Sequence, residues 1–180
     1  KGLVKVEGMA YVGGVGGKNA YADWTNITVS VDKEKSYVKA NSVENGTAYR
    51  TYVGGVVGFN GEGGHSFKNI TSNIDVKGST CDVGGLFGIA HYGNQFENCS
   101  CSGDVEIYAA EEAAEAEEIG GIAGANRTLG SIYSVYSLLN VDEISRRKDS
   151  DYTYANYYGA VCGQSWGKLS NIYSTKDSFV

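Results

Sequence analysis

The heptad YVGGVVG, Tyr52 to Gly58, is followed 30 residues later by DVGGLFG, Asp82 to Gly88. Three further copies of this GG-Φ-x-G pattern, in which Φ is apolar and the second glycine is alanine in the last copy, begin at Gly13, Gly120 and Gly159. The first glycines are 30 to 41 residues apart. A motif that recurs at such intervals indicates a chain built from stacked structural repeats.

A second motif follows each heptad and consists of an aromatic or aliphatic residue, any residue, asparagine (serine in the fourth copy) and an apolar residue. Its copies are WTNI from Trp24, FKNI from Phe67, FENC from Phe96, IYSV from Ile132 and LSNI from Leu169. The chain is therefore divided into five degenerate units, units 1 to 5. Because both motifs alternate like strands and no helical pattern recurs in register, each unit is predicted to contain about three short β-strands.

The glycine heptad itself is predicted to be one alternating strand. In unit 2, one face would carry Val53, Gly55, Val57 and Phe59, and the residues between them would point to the other face. The glycines are predicted to allow tight corners and a close backbone approach that a Cβ atom would block.

Stacking of the units explains how such short repeats bury their apolar residues, since one unit cannot do so alone. Equivalent strands about 4.8 Å apart would place like residues in columns. Two columns are predicted: Val15, Val56, Leu86, Ile122 and Val161; and Ile27, Ile70, Cys99, Val135 and Ile172. The predicted fold is all-β, a parallel β-solenoid (a right-handed β-helix by the crossover rule) of about five degenerate coils, in a single domain over residues 1–180.

Three segments exceed the length of a unit and are predicted to be excursions, near residues 31–51, 105–118 and 142–156. The middle segment contains AAEEAAEAEE, residues 109–118, whose composition favours a helical turn or two. It lacks the Asp, Asn and Gly spacing of a calcium loop, so a solvated acidic helix is favoured over calcium binding.

Composition excludes several classes of partner. The chain has 180 residues, a formal net charge of −6 and a pI near 4.9, which argues against nucleic acid or an anionic membrane. No apolar run approaches the roughly 20 residues that span a bilayer, so membrane insertion is not predicted. The opening VKVEG, Val4 to Gly8, matches IDVKG, Ile74 to Gly78. The chain is therefore expected to be an excerpt of a larger protein with flanking domains.

A column of polar side chains, mostly carboxylates, is predicted six residues past the motif asparagine, or its substitute, in units 1 to 4. This spacing selects Asp32, Asp75, Asp104 and Asn140, which would lie on one face. A column generated by the repeat lacks a unique acid, base and binding group, so a solvated face is favoured over catalysis. No nucleophile–base arrangement is readable, and the protein is predicted not to be an enzyme.

The histidines and cysteines are predicted to bind no metal or cofactor. His65 and His91 fall in equivalent places, the connection between the two motifs, and are expected to be exposed loop residues. Cys99 occupies an apolar slot of the second motif, and Cys162 occupies the x of the heptad. Both are predicted to fill the core, a role favoured over metal binding or a disulfide.

The asparagine of the second motif falls within Asn-x-Ser/Thr at Asn26, Asn69 and Asn98. Since these positions are set by the repeat, a turn or stacking role is favoured over glycosylation.

Aromatic residues in the connections between the motifs suggest a binding surface. Stacked loops at one edge would present His65, Tyr92, Arg127 and Trp166 along a ridge. Aromatic rings flanked by polar groups suit sugars or peptides. The alternative is that the 14 tyrosines simply cover an all-β surface.

The fragments VGGVVG, VGGLFG and IGGIAG, together with the second motif, resemble the GLUG-motif repeats of bacterial cell-surface proteins, including adhesin-like and IgA-peptidase-like ones. The resemblance runs from Tyr11 to Thr175, with departures at Gly16 and Ser134. It implies a β-solenoid segment of an exported, extracellular protein anchored at the bacterial surface, with a structural or adhesive role and no catalytic residues to transfer. Host or dietary glycan, or a host surface protein, would be the partner. The alternatives are a glycan-binding module that uses the ridge and, less favoured, a β-helix carbohydrate-active enzyme.

Overall fold

The computed structural model describes residues 2–32, 34–41, 43–44, 47–48, 50–61, 63–78, 82–91, 93–107, 118–126, 131–137, 157–159 and 161–174. These residues form β-strands joined by turns and bends, and there is no helix among them. The predicted all-β class is therefore confirmed.

The strands follow the five units in chain order. The strand β1 (Lys5–Gly8) precedes unit 1, which contains β2 (Tyr11–Gly13), β3 (Gly16–Asn19), β4 (Trp24–Val29) and β5 (Tyr37–Ala40). A short antiparallel pair, β6 (Val43–Glu44) and β7 (Thr47–Ala48), leads to unit 2 with β8 (Tyr52–Gly54), β9 (Val57–Asn60), β10 (Ser66–Ser72) and β11 (Asp75–Gly78). Unit 3 contains β12 (Asp82–Gly84), β13 (Phe87–Ala90), β14 (Gln95–Glu97), β15 (Ser100–Cys101) and β16 (Val105–Ile107). Unit 4 contains β17 (Glu118–Gly120), β18 (Ala123–Asn126) and β19 (Ser131–Ser137), and unit 5 contains β20 (Tyr157–Gly159), β21 (Cys162–Ser165) and β22 (Lys168–Ser174).

Equivalent strands of successive units pair in parallel and form four sheets. Sheet I has the order β2-β8-β12-β17-β20, and sheet II has the order β3-β9-β13-β18-β21. Sheet III contains β4, β10, β14, β15, β19 and β22, and sheet IV has the order β1-β5-β11-β16. The predicted parallel pairing is confirmed. The register keeps motif residues level: the first glycines of the five heptads are successive partners in sheet I.

The glycine heptad spans two strands, so the prediction of one alternating strand is wrong. In unit 2 the chain leaves sheet I at Gly54, bends at Gly55 and Val56, and enters sheet II at Val57. Val56 and Val57 are both fully buried, whereas alternation would place them on opposite faces. With the second motif in sheet III and the tail in sheet IV, unit 2 supplies four strands instead of about three.

The core is a stack of like side chains, as predicted, except that Val15 of the first predicted column is 52% exposed and Ile27 of the second is half-buried. The side chains of Val135 and Ile172 in the second column are not among those described. The column that runs from Val56 through Leu86 and Ile122 to Val161 is buried throughout. In this column the N–H of Val56 donates to the carbonyl of Leu86 (2.9 Å), and the N–H of Ile122 donates to that of Val161 (2.8 Å). Each buried aliphatic side chain contributes about 1.5–3 kcal/mol relative to exposure.

Three phenylalanines form the aromatic centre of the core. The rings of Phe67 and Phe96 stack with centroids 4.7 Å apart and planes 12° apart, and Phe87 lies 4.4 Å from Phe96. Phe67 and Phe96 are register partners in sheet III, whereas Phe87 comes from sheet II. These rings therefore hold two sheets together, and all three are fully buried.

The glycine corners are as crowded as predicted. A Cβ atom built on Gly55 would lie 2.3 Å from the carbonyl oxygen of Gly85. One built on Gly85 would lie 2.2 Å from the carbonyl oxygen of Gly121 and 2.5 Å from Cys101 Sγ. The backbone of each corner thus rests on the corner of the next unit, which leaves no volume for a side chain.

Parts of the predicted excursions belong to the regular sheets. Within 31–51, β5 lies between β1 and β11 in sheet IV, and within 105–118, β16 pairs with β11 in the same sheet. Glu118, predicted to end an acidic helix, begins β17 and is buried. The predicted helical turns over 109–117 and the excursion at 142–156 lie outside the described residues.

Candidate functional site

The structure describes two of the four residues of the predicted ridge, His65 and Trp166. Tyr92 and Arg127 lie outside the described residues. Trp166 is 68% exposed and follows β21 in unit 5, one residue beyond Ser165. His65 lies before β10 in unit 2, where the N–H of Gln95 donates to its carbonyl (2.9 Å). His65 and Trp166 therefore flank different ends of the connection and belong to units three steps apart.

His65 belongs to a small polar cluster at the start of sheet III. Its Nδ1 lies 3.5 Å from Asp23 Oδ1, and its backbone N–H donates to Asn94 Oδ1 (3.1 Å). Asp23 Oδ1 also accepts the backbone N–H of Ser66 (2.8 Å). That bond, with a smaller contribution from His65, lowers the pKa of Asp23.

Both histidines lie in the connection between sheets II and III, as predicted, but at opposite ends of it, and both are half-buried instead of exposed. His65 precedes β10, whereas His91 follows β13, and its ring packs against Phe59 with centroids 6.3 Å apart. The connections differ in length, so counting from the heptad does not align them. Within the described ranges, no group of three or more His, Cys, Asp or Glu side chains is placed to hold a metal ion.

An aromatic cluster that sequence reasoning missed covers the outer side of sheets I and II. Tyr11 stacks on Tyr52 with centroids 5.5 Å and planes 25° apart, and both rings lie 5.0 Å from that of Phe59. Lys18 Nζ lies 5.6 Å from the Phe59 ring, and Arg50 lies 5.4 Å from the Tyr52 ring. Each such contact is worth about 0.5–1 kcal/mol at an exposed site. The signal that could have revealed the cluster is the tyrosine directly before VGG in units 1 and 2.

Two buried carboxylates were also missed. Asp82 and Glu118 are register partners in sheet I, at the position held by Tyr52 in unit 2, and both are almost completely buried. Arg50 Nη2 lies 3.9 Å from Asp82 Oδ1 and offsets part of the cost of burying that charge. Glycoside hydrolysis uses a pair of carboxylates, but both of these are almost completely buried, which closes them to a sugar polymer in this structure.

The predicted column of acidic residues is wrong at its first member. Asp75 is level with Tyr37 in sheet IV, not with Asp32, because unit 1 has extra residues between sheets III and IV. Asp75 Oδ1 does accept the backbone N–H of Asp104 (2.9 Å). Asn140 lies outside the described residues. Of the remaining two residues, Asp75 is half-buried and Asp104 is exposed. The carboxylate of Asp75 accepts a backbone hydrogen bond, as the side chain of a turn residue does.

The asparagines of the second motif form a ladder on the surface, which confirms their predicted stacking role. Asn69 Nδ2 donates to Asn26 Oδ1 (2.9 Å), and Asn98 Nδ2 donates to Asn69 Oδ1 (3.4 Å). These three residues and Asn171 all have φ between 52° and 58°. Asparagine tolerates this left-handed conformation better than most residues, so the motif residue serves both the bend and the ladder.

The thiols differ in burial. Cys99 is fully buried, as predicted, and burial raises its pKa to about 12. Cys162 is level with Ala123 in sheet II, as predicted, but is only half-buried, and its thiol donates to the carbonyl of Gln164 (2.9 Å). Cys101, also buried, packs against the Gly85 corner. Cys81 lies outside the described residues.

Comparison with models of known protein families, with curated proteins and with solved structures finds no match. In the part of the chain that the structure describes, no helix is long and apolar enough to cross a membrane.

Proposed function

We propose that this chain is a parallel β-solenoid of five coils and that it serves as a non-enzymatic structural or adhesive module of an exported bacterial cell-surface protein, of the kind that carries GLUG-motif arrays. The observation that carries the proposal is the register. Motif residues of one unit pack on the same motif residues of the next, in sheet I as in sheet III. The interior side chains therefore form the contacts between successive units, an arrangement that suits a stiff spacer.

The order in which the chain visits the sheets supports the solenoid. In units 1, 2 and 3 the chain passes through sheets I, II, III and IV in that order and then returns to sheet I in the next unit. One such circuit advances each strand by one position in its sheet. We take the coil to be right-handed, because parallel crossovers are almost always right-handed.

A solenoid built in this way has a length proportional to its number of units. Five coils at about 4.8 Å each extend about 24 Å along the axis. Nearest-neighbour packing of this kind makes repeat arrays stiff and extendable, with stability that grows by similar increments. Such a module would hold another part of a surface protein at a set distance from the cell.

Small-angle X-ray scattering of one, two and three tandem copies tests the shape. We expect the maximum dimension to grow by about 24 Å per copy, with a constant cross-sectional radius. Growth in all three dimensions would contradict the solenoid. The location is tested separately by applying an antibody against the chain to intact cells of the source organism; labelling that requires permeabilised cells would contradict surface display.

A glycan-binding role is the second candidate, and the exposed ring of Trp166 is the observation that favours it. An exposed indole can stack on a sugar ring, and Tyr92 and Arg127 are the other ridge members proposed to act with it. A glycan array probed with a multimerised form of the chain tests this role. Trp166→Ala should remove binding, whereas Tyr21→Ala, at an exposed tyrosine of unit 1, should preserve it. Equal binding by both variants would place the site elsewhere.

A further inference from the structure

The corner between sheets II and III contains two buried amides whose hydrogen bonding is incomplete. Asn60, the last residue of β9, and Asn94, which directly precedes β14, are both completely buried. Among the described residues, Asn60 Oδ1 and Asn94 Nδ2 have no hydrogen-bond partner. Nearly all buried polar atoms in folded proteins have one, so these two atoms mark a place where a small ligand would be stabilised.

The orientation of each amide is set by a backbone group of the neighbouring unit. Asn94 Oδ1 accepts the backbone N–H of His65 in unit 2 (3.1 Å), and a rotated amide would lose that bond. Asn60 Nδ2 points at the carbonyl of Ile89 in unit 3 (3.5 Å), and a rotated amide would set two oxygens against each other. The atoms that lack a partner are therefore an acceptor on Asn60 and a donor on Asn94.

Both amides lie between units 2 and 3 on the inner side of the corner. Asn60 belongs to unit 2 and contacts unit 3, whereas Asn94 belongs to unit 3 and contacts unit 2. Asn60 is level with Ala90, a member of the apolar core, and Asn94 lies two residues before the fully buried Phe96. The two side chains therefore enter the space between the units from sheet II and from the start of sheet III.

The register in sheet II explains why Asn60 has no partner in its own column. The residues level with it are Asn19, Ala90, Asn126 and Ser165 in units 1, 3, 4 and 5. Its neighbour in unit 3 is thus alanine, which is shorter by an amide group, so it offers no hydrogen bond and leaves room beside Asn60. Asn19 of unit 1 is satisfied locally, since its Nδ2 donates to the carbonyl of Ala22 (3.0 Å).

We propose that this corner binds one ordered water molecule, which donates to Asn60 Oδ1 and accepts from Asn94 Nδ2. The two atoms require a ligand that both donates and accepts: a metal cation cannot accept the N–H of Asn94, and an anion without a proton cannot donate to Asn60. The described contacts include no direct hydrogen bond between the two amides, and a polar pair at a longer separation is suited to a bridging water. Buried waters with about two to four polar partners are part of the folded structure, and this one would join unit 2 to unit 3.

Oxygen-17 magnetic relaxation dispersion tests the proposal, because it counts the water molecules that stay in a protein for longer than the protein takes to tumble. Asn94→Leu removes the donor while keeping a branched side chain of similar size, and the count should fall by about one water. The control is Asn19→Leu, the same substitution in the column of Asn60, where the amide has its own partner. It should leave the count unchanged, and circular dichroism of each variant shows whether the fold is retained.

A double-mutant cycle of Asn60→Leu and Asn94→Leu measures the bridge itself. Each single variant leaves the other amide buried without the water, whereas the double variant removes both polar atoms and so costs less than the two single changes together. The equilibrium constant of unfolding should therefore deviate by about threefold or more from the product of the two single effects. The control pair, Asn19→Leu with Asn94→Leu, should combine independently to within about twofold.

Two results would overturn the proposal. An unchanged water count in Asn94→Leu would show that no long-lived water is held by this amide, and independent effects of Asn60→Leu and Asn94→Leu would show that nothing joins the two side chains. Where a variant does not fold, a crystal structure of the unchanged chain decides. Electron density for a water within hydrogen-bonding distance of both amides supports the proposal, whereas a direct hydrogen bond between Asn60 and Asn94, or no such density, contradicts it.

Discussion

Replacing Gly85 with alanine should destabilise the protein far more than a single methyl group suggests. The new Cβ atom would lie 2.2 Å from the carbonyl oxygen of Gly121 and 2.5 Å from Cys101 Sγ. Ordinary contact begins near 3.4 Å, so the corner of unit 3 must separate from that of unit 4 by about 1 Å. The Gly121 carbonyl is backbone and cannot rotate away as a flexible side chain could.

The size of the effect follows from three contributions. Overpacking of this kind costs about 1–3 kcal/mol. Separation of the corners also stretches the 3.2 Å hydrogen bond from the N–H of Gly85 to the carbonyl of Gly120, at a cost of about 0.5–1.5 kcal/mol. Alanine also lowers the conformational entropy of the unfolded chain, which stabilises the folded state by about 0.4–1 kcal/mol. We therefore expect the free energy of unfolding to fall by about 2–3 kcal/mol, which lowers the melting temperature by about 4–12 °C for a chain of this length.

Urea unfolding followed by far-UV circular dichroism measures this loss, with two glycines of the same chain as controls. A Cβ atom on Gly2 would meet no atom within 4 Å, and one on Gly8 would meet Val12 Cγ2 at 3.3 Å. The loss of stability should therefore increase from Gly2→Ala to Gly8→Ala to Gly85→Ala. If Gly85→Ala were within about 0.5 kcal/mol of Gly2→Ala, the usual range for a neutral surface change, the role of the crowded corner would be refuted.

The remaining expectations concern the ladder, the thiols and acid stability. Ser134→Asn should raise the free energy of unfolding by about 0.5–1 kcal/mol in urea titrations, because it would complete the asparagine ladder with a hydrogen bond. In the native protein a thiol reagent at pH 8 should modify Cys162 and leave Cys99 unmodified, since burial raises the Cys99 pKa to about 12; in denaturant both should react. Asp23→Asn should flatten the acid side of the stability profile. The Ser66 N–H bond lowers the folded-state pKa of Asp23, so this carboxylate stabilises the fold above its unfolded pKa of about 3.9, and the contribution is lost as pH falls through the folded value.

Each of these expectations has a result that would contradict it. Ser134→Ala is the control for the ladder, because alanine has no amide that could form a hydrogen bond with the asparagines; equal stability of the two variants would contradict a role of the ladder in stability. Labelling of native Cys99 as fast as that of Cys162 would contradict its burial. An Asp23→Asn variant with the same stability profile from about pH 2 to 5 as the unchanged chain would show that the Ser66 bond has no effect on folding.

The sequence by itself determined the parallel all-β class, the apolar column from Val56 to Val161, the asparagine stacking and the burial of Cys99. The physical reason is the repeat. Once the five units pack on one another in parallel, equivalent residues must lie about 4.8 Å apart, and comparison of the units shows what each position tolerates. The crowding at Gly55 and Gly85 was readable for the same reason, because a column that admits only the smallest residues has no volume for a side chain.

Only the tertiary structure located the corner at Gly55 and Val56. Alternation cannot reveal a change of direction at glycines, because a residue without a side chain does not report which face it is on. The pairing of Tyr37 with Asp75 was likewise not predicted. The connection that precedes Tyr37 is longer than the one that precedes Asp75, so residues at the same distance from the motif asparagine are not level in the sheet.

Contacts between sheets were the least accessible to sequence reasoning. The cluster of Tyr11, Tyr52 and Phe59 joins sheets I and II, and the carboxylate of Asp82 is buried at the level of Glu118, beside Arg50. A repeat specifies which residues stack along the axis, because that spacing is a property of the backbone. It does not specify which columns meet across the interior or the outer face, because that depends on how sharply the chain bends at each corner and on the volumes of the side chains between the sheets.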